Sequence, residues 1–269
     1  MSFSNETDEI GRAERATAAL ARFGLGPVEW VAETGSTNED LMAAAAAGAP
    51  HGAVRVADHQ LAGRGRRDRQ WTAAAGDALL VSVLLRTAVP PSHLATLTAA
   101  MGVGAVEGCQ ALGFEGIELK WPNDLVVGPP GAQRKLAGIL AESLITGDHL
   151  VVVIGLGMNI TSTRLGALAP EAVALDELGP PPDALRLLIA VFQAFSRRLA
   201  EVESDPADMW AAYRRLSATL GHRVRVLTDD DELVGMAEDI SEAGALRLQT
   251  SEGIVEVVVG DVTALRPGE

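Results

Sequence analysis

Residues 63–71, GRGRRDRQW, gather Arg64, Arg66, Arg67 and Arg69 within six positions of a chain whose net charge is -14. Gly63 and Gly65 let backbone amides come close to an anion, and the guanidinium forks pair with carboxylate or phosphate oxygens. On composition alone, a solvated charged loop is an equal alternative. A dinucleotide-binding turn is disfavoured, because Asp68 occupies the place of its third glycine and no helical pattern follows. No G-x-x-x-x-G-K-[ST] stretch occurs anywhere, which excludes a P-loop.

Further along, KWPND places Lys120, Asn123 and Asp124 together at a strand end with a proline at the corner. A lysine there can neutralise phosphate, and the carboxylate of Asp124 can hold Mg²⁺. Lys135 opens an otherwise apolar run beside the small residues Ala137 and Gly138, so it must meet an anion or reach solvent. Asn159 ends GLGMN, where it can read an adenine edge or merely close a tight turn. Ser36, Thr37 and Asn38 stand at a helix start, as a cap or as ligands for a polar neutral group. The five histidines show no metal-ligand spacing, and Cys109 lies within a predicted helix. With no activated nucleophile, the chemistry that fits is positioning and charge neutralisation, as in acyl-adenylate formation.

The elements that must position these groups are legible in outline. Helices are predicted around residues 12–23, over 36–48 (Ser36 and Glu39 at capping-box spacing), over 91–113 and in two amphipathic runs, 182–204 and 206–220. Strands are predicted at 28–34, 52–60 and 77–87, and over 117–127 a strand runs into a Pro-Asn-Asp corner and out again. A further pair, 135–145 and 149–160, is joined by a Gly147-Asp148 turn. From Gly221 the texture changes to short alternating runs, the last of them residues 254–267, split by acidic turns such as TDDDE and SEAG. The expected architecture is α+β, divided into residues 1–218, carrying the site, and residues 219–269, a small β-barrel.

At 269 residues the chain can bury a sizeable core. Its acidity argues against broad nucleic-acid binding. A lone cysteine excludes an internal disulfide and suggests a reducing compartment. The polar amino terminus has no signal-peptide core, and no apolar stretch reaches membrane-spanning length. A cytoplasmic protein bound to neither membrane nor nucleic acid is expected.

Taken together and in order, GSTN, Q-x-x-GRGRR-x-R-x-W, KWPNDL, KLAGIL-x-E and G-x-G-x-N resemble the motifs of the biotin protein ligases. That resemblance implies a mixed sheet flanked by helices, similar to class II aminoacyl-tRNA synthetases, with a carboxy-terminal SH3-like module. It implies ATP, Mg²⁺ and biotin as cofactor and substrates, with biotinyl-5′-AMP as intermediate and a biotin carboxyl carrier domain as protein partner. By the same resemblance, Ser36, Thr37 and Asn38 lie against the biotin ureido ring. Gln60, Gly63, Arg64, Gly65 and Arg66 hold biotin and the adenylate, and Arg67 and Arg69 join the phosphate contact. Lys120 and Asp124 stand near phosphate and Mg²⁺, with Asn123 in the same corner. Lys135 meets the biotin carboxylate and then the α-phosphate, Gly138 keeps the biotin wall close, Asn159 contacts adenine, and Trp71 packs over the closed loop. A lipoyl or octanoyl ligase or transferase on a related fold is the competing reading. Asp68 departs from the family's usual glycine; it either weakens ligand binding or pairs with a neighbouring arginine. Only 35 residues precede Ser36, so the ligase-only form without a DNA-binding domain is expected, as a monomer or weak dimer.

Overall fold

The computed structural model describes residues 2–146, 149–165, 169–229 and 231–265. The Gly147-Asp148 turn and the last residues of the 254–267 run lie outside them. Helix α1 (Ser2–Leu20) is followed by a 3-10 turn (Ala21–Phe23) and strand β1 (Val28–Thr34). Then come α2 (Thr37–Ala46), β2 (Val54–Gln60), β3 (Ala78–Thr87) and α3 (Leu94–Ala111). Strands β4 (Ile117–Lys120), β5 (Asp124–Val127), β6 (Arg134–Thr146) and β7 (His149–Asn159) complete one sheet, ordered β1-β2-β3-β7-β6-β5-β4. Only β1 and β2 are parallel. Helices α4 (Ala184–Ser204) and α5 (Ala207–Arg215) follow. The chain ends in a second, antiparallel sheet built from β8 (Arg223–Leu227), β9 (Glu232–Ile240), β10 (Leu246–Thr250), β11 (Gly253–Val257) and β12 (Asp261–Ala264). Its order is β11-β10-β9-β8-β12. This is the expected α+β class, a mixed sheet flanked by helices, followed by a small β-module.

Side-chain alternation along the central strands decides what each face does. Val81, Val83 and Leu85 of β3, with Ile154, Leu156 and Met158 of β7, enter the main core with residues of α3 and α4. The other face is shared. Leu84, Val151 and Val153 are covered by Leu41 and Ala45 of α2. Farther along that same face come Leu80 and Ser82 of β3, Gly155, Gly157 and Asn159 of β7, and Gly138, Leu140 and Glu142 of β6. The register aligns Ser82, Gly155 and Leu140 in one row, and Leu80, Gly157, Gly138 and Asp124 in the next. Thr37 and Asn38, at the start of α2, rest on the first of these rows, and the cavity described below opens beside them over the second.

The core side is held by a close approach of α3 and α4. A Cβ on Gly108 would lie 2.6 Å from Val191 Cα, and one on Gly104 would lie 2.6 Å from Phe195 Cα. Both obstacles are backbone, so the helices must part to admit a methyl group. Gly108→Ala therefore gains up to about 1 kcal/mol of helix propensity but meets an overpacking cost of about 1–3 kcal/mol. The expected result is a lower urea midpoint with an unchanged slope.

Four sequence expectations need adjustment. The amino-terminal helix begins at Ser2 rather than near Arg12, propagating outward from a turn anchored by the buried Ala16 and Leu20. The run 206–220 stops at Arg215, because Ser217 bridges Leu119 of β4 and Ala218 N donates to the Leu119 carbonyl. Edge pairing with the sheet thus overrides helical periodicity. The run from 254 splits into β11 and β12, which lie at opposite edges of the small sheet, so the chain crosses between them at 258–260. Finally, Ser36 is the N-cap of α2 without a capping bond from its side chain. Gln60 of β2 meets a different helix-start donor, its Oε1 accepting from Thr37 N at 2.8 Å. Glu39 instead reaches Arg64, at 3.1 Å.

Candidate active site

The cavity over this end of the sheet has a volume of about 620 Å³, within the range of small-molecule sites. Its neutral polar end is built from the start of α2. Ser36, Thr37 and Asn38 are all buried, drawn under the sheet face by a chain of side-chain bonds. Ser82 Oγ lies 2.7 Å from Thr37 Oγ1 and 2.6 Å from Asn38 Oδ1. Asn38 Nδ2 donates to Glu142 Oε2 at 2.8 Å and to the Leu140 carbonyl at 3.2 Å. Both Asn38 donors are therefore committed to protein, whereas Ser36 makes no side-chain hydrogen bond among the described residues. The glycines of GLGMN lie within β7 and make no tight turn. A Cβ on Gly155 would overlap Asn38 Oδ1, and one on Gly157 would lie 2.5 Å from Trp71 Cε2. They are small so that two side chains can rest on the sheet.

Trp71 accordingly lies on the cavity floor beside Gly138 and Gly157, not over the arginine loop. Its indole N–H is buried without an acceptor among the described residues. Lys135 Nζ stands 5.6 Å from the indole centroid, a cation–π distance. It also lies 2.7 Å from Asp124 Oδ1, a close electrostatic contact without the geometry of a directed hydrogen bond.

The arginine loop is closed at its base by Trp71 N donating to the Gly63 carbonyl at 2.9 Å, and a Cβ on Gly63 would overlap the Trp71 carbonyl. Its arginines divide into two groups. Arg64 pairs with Glu39 and with Glu142 at 3.0 Å. Arg67 pairs with Asp229 at 2.6 Å and Asp261 at 3.3 Å, and Arg69 also pairs with Asp261. Arg66 alone of the four uses only neutral acceptors, Asn123 Oδ1 at 3.2 Å and the Gly260 carbonyl at 3.5 Å. Burial pulls its pKa below the ordinary arginine value, against the opposing pull of Asp261. Lys120 is likewise lowered by burial first, with Asp124 opposing and Lys135 reinforcing. Arg66 and Lys120 are thus half-desolvated cations without an ion-pair partner among the described residues, a costly state that a bound anion relieves.

Of the residues singled out in the sequence, Ser36, Thr37, Asn38, Gln60, Arg64, Gly65, Arg66, Arg69, Trp71, Lys120, Asn123, Asp124, Lys135, Gly138 and Asn159 line this one cavity. Gly63 lies at the base of the loop and Arg67 on its outer side. Asn159 donates Nδ2 to the Val173 carbonyl at 3.1 Å, which leaves its Oδ1 as acceptor. Asp68 is exposed, with φ 56°, and makes no side-chain bond among the described residues. The carboxylates that hold Arg67 and Arg69 are Asp229, in the turn between β8 and β9, and Asp261 of β12, so TDDDE is not simply a solvated turn. Sequence reasoning missed Asp261 and Gln133, which line the cavity, the latter with its Nε2 buried without an acceptor among the described residues, and Ser82 and Glu142, which hold Asn38 from behind the lining. Glu142 alone had a signal, as the last letter of KLAGIL-x-E.

No three His, Cys, Asp or Glu side chains among the described residues cluster as a metal cage. A lone Asp124 fits the way Mg²⁺ binds, through one or two carboxylates plus nucleotide phosphates. Cys109 is buried and its thiol is pushed up to about 12, which makes it core. No helix among the described residues is long and apolar enough to cross a membrane.

The Biotin/lipoate A/B protein ligase family matches residues 33–159, and the Biotin protein ligase C terminal domain matches residues 219–263. The chain is 37% identical to a biotin--[acetyl-CoA-carboxylase] ligase of Mycobacterium tuberculosis, over 91% of this chain and 92% of that one. It is 31% identical to a ligase of the same name from Paracoccus denitrificans, over 83% and 94%. Among solved structures, a biotin protein ligase from Aquifex aeolicus in complex with biotin and ATP superposes with a TM-score of 0.74. The two are 27% identical, covering 89% of this chain and 98% of that one.

Proposed function

The chain belongs to the biotin protein ligase family, and we propose that it activates biotin with ATP as biotinyl-5′-AMP and transfers the biotinyl group to a lysine of a biotin carboxyl carrier domain. The observation that carries this reading is the junction of a neutral polar pocket, at Ser36–Asn38 and Gln60, with three converging cations, Arg66, Lys120 and Lys135. A ureido ring suits the first. Two anions that must meet suit the second.

In the first step a biotin carboxylate oxygen attacks the α-phosphorus of ATP. The new bond is O–P, the bond between the α-phosphorus and its bridging oxygen breaks, and pyrophosphate leaves. The two reactants repel, and Lys135 sits where it can exchange Asp124 for the carboxylate and then the α-phosphate. Lys120 and Arg66 provide the charge along the phosphates, and the Asn159 Oδ1 is free to accept from an adenine amine. Asp124, once released by Lys135, is the residue that would hold Mg²⁺; the ion would neutralise phosphate charge. The arginine loop, tied to Asp229 and Asp261, would keep water from the mixed anhydride. In the second step the carrier amine attacks the acyl carbon, AMP departs and the amine loses a proton.

Lys120 must be protonated to hold phosphate, and burial lowers its pKa below the ordinary 10.5. As pH rises through that lowered value the charge is lost, so kcat/KM for ATP, which reports the free enzyme, should fall on a limb centred below 10.5. Lys120→Arg, charged throughout, should move the limb upward in a pyrophosphate-release assay. An unmoved limb would remove Lys120 from the phosphate site.

The reading itself is tested by offering biotin, lipoate and octanoate with Mg-ATP and a carrier domain, and weighing the intact carrier. Modification by biotin alone supports it. Modification by lipoate or octanoate in its place assigns the cavity to the lipoyl branch.

A further inference from the structure

The carboxylate of Glu142 belongs to a motif, yet nothing in the two-step reaction uses it. It lies on the cavity face of β6, only 21% exposed, and its two oxygens have different partners. Oε2 accepts from Asn38 Nδ2 at 2.8 Å, and Oε1 lies 3.0 Å from Arg64 Nη2. Asn38 belongs to the polar end of the cavity and Arg64 to the arginine loop, so one side chain spans the two.

The proton order along this chain follows from the partners. Glu142 and the Leu140 carbonyl are acceptors only, so they fix Nδ2 of Asn38 toward themselves and Oδ1 toward Ser82. Ser82 has one hydroxyl proton and two oxygens within reach, at 2.6 and 2.7 Å. The shorter contact, to the carbonyl of Asn38, needs that proton. The Thr37 hydroxyl proton then has two acceptors within reach, Ser82 Oγ at 2.7 Å and Gln60 Oε1 at 3.0 Å, and with either of them Thr37 Oγ1 keeps a lone pair for the cavity, where an N–H of the ligand would bind. Glu142 is thus joined to the polar end of the cavity through Asn38, Ser82 and Thr37 on one side and to the loop through Arg64 on the other.

We propose that Glu142 is a positioning residue that links the polar end of the cavity to the arginine loop, so that the filling of one is felt by the placement of the other. The proposal rests on the biotin reading of that pocket. Glu142→Gln separates the two halves: its amide oxygen still accepts from Asn38, while its NH₂ faces the Arg64 donors and the ion pair is lost.

The loop carries four tryptic sites, so limited trypsinolysis read by intact mass reports its opening directly. Without ligand, Glu142→Gln should be cut in residues 64–69 about two- to fivefold faster than the parent, the scale of a partly exposed ion pair. Biotin alone should slow that cleavage in the parent and leave Glu142→Gln little protected, although calorimetry still detects biotin binding. In an Arg64→Gln background, the added Glu142→Gln should change neither cleavage nor the KM for biotin further, which a merely structural carboxylate would not predict. Equal cleavage of parent and variant, with and without biotin, would overturn the proposal, as would full additivity in the double variant. A parent that does not bind biotin overturns the functional reading instead. Faster cleavage of the unliganded variant would then still assign the Glu142–loop link to the chain itself.

Discussion

A protein carrying Lys135→Ala is expected to form biotinyl-5′-adenylate about 10²–10³ times more slowly than the parent, the usual cost of removing one donor aimed at developing charge. Two effects act in the same direction. The ammonium that would bridge carboxylate and α-phosphate is gone, and Asp124, which it faces at 2.7 Å, is left as an uncompensated carboxylate where two more anions must enter. The change in fold stability should be small by comparison. Lys135 and Asp124 are 36% and 25% exposed, and such pairs contribute at most about 1 kcal/mol, against about 3–4 kcal/mol for the rate effect. Pyrophosphate release without carrier, beside a melting curve, separates the two. A rate within tenfold of the parent would place the reacting carboxylate elsewhere in the cavity.

Gly155→Val tests the polar end. The new Cβ would overlap Asn38 Oδ1 and lie 3.1 Å from Asn38 Cγ and 3.3 Å from Ser82 Oγ. Strand β7 cannot withdraw, since Gly155 is paired with Ser82 on one side and Leu140 on the other. Asn38 cannot easily withdraw either, because Glu142 and the Leu140 carbonyl hold its amide. The amide must therefore be expelled from the sheet face into the space of the ligand. Overpacking of this kind costs about 1–3 kcal/mol, and here the strain falls on the binding site, so biotin affinity should weaken by up to about 10²-fold. Asn38→Ala in the same chain should restore most of the stability without restoring affinity. Biotin binding unchanged by Gly155→Val would mean that the ring sits away from Asn38.

What was legible in the sequence is what short-range physics controls. Strand β1 follows its seven-residue pattern from Val28 to Thr34 without adjustment. The long β6–β7 pair shows as two apolar runs. Fifteen of the chemistry-bearing residues marked by type and spacing do converge on one cavity. Most of them could be marked because they sit in the loop between β2 and β3 or near the ends of strands and helices, where turn residues and stranded charges stand out against apolar periodicity.

Tertiary structure decided the rest. That the first helical donor of α2, Thr37 N, is met by Gln60 was decided by another strand brought alongside, while the Ser36 side chain at the N-cap makes no capping bond. Whether the glycines of GLGMN made a turn or a floor depended on which side chains, Asn38 and Trp71, came to lie on them. The neutralisation of Arg67 and Arg69 depended on Asp261, about 190 residues later and on the last strand of another sheet. Sequence periodicity reaches only a few residues along the chain, whereas ion pairs and close packing form across whatever surfaces the sheets bring together. The residues that can do the chemistry were set by the sequence itself; which of them stay unpaired to meet a ligand was set by the partners that folding gave to the others.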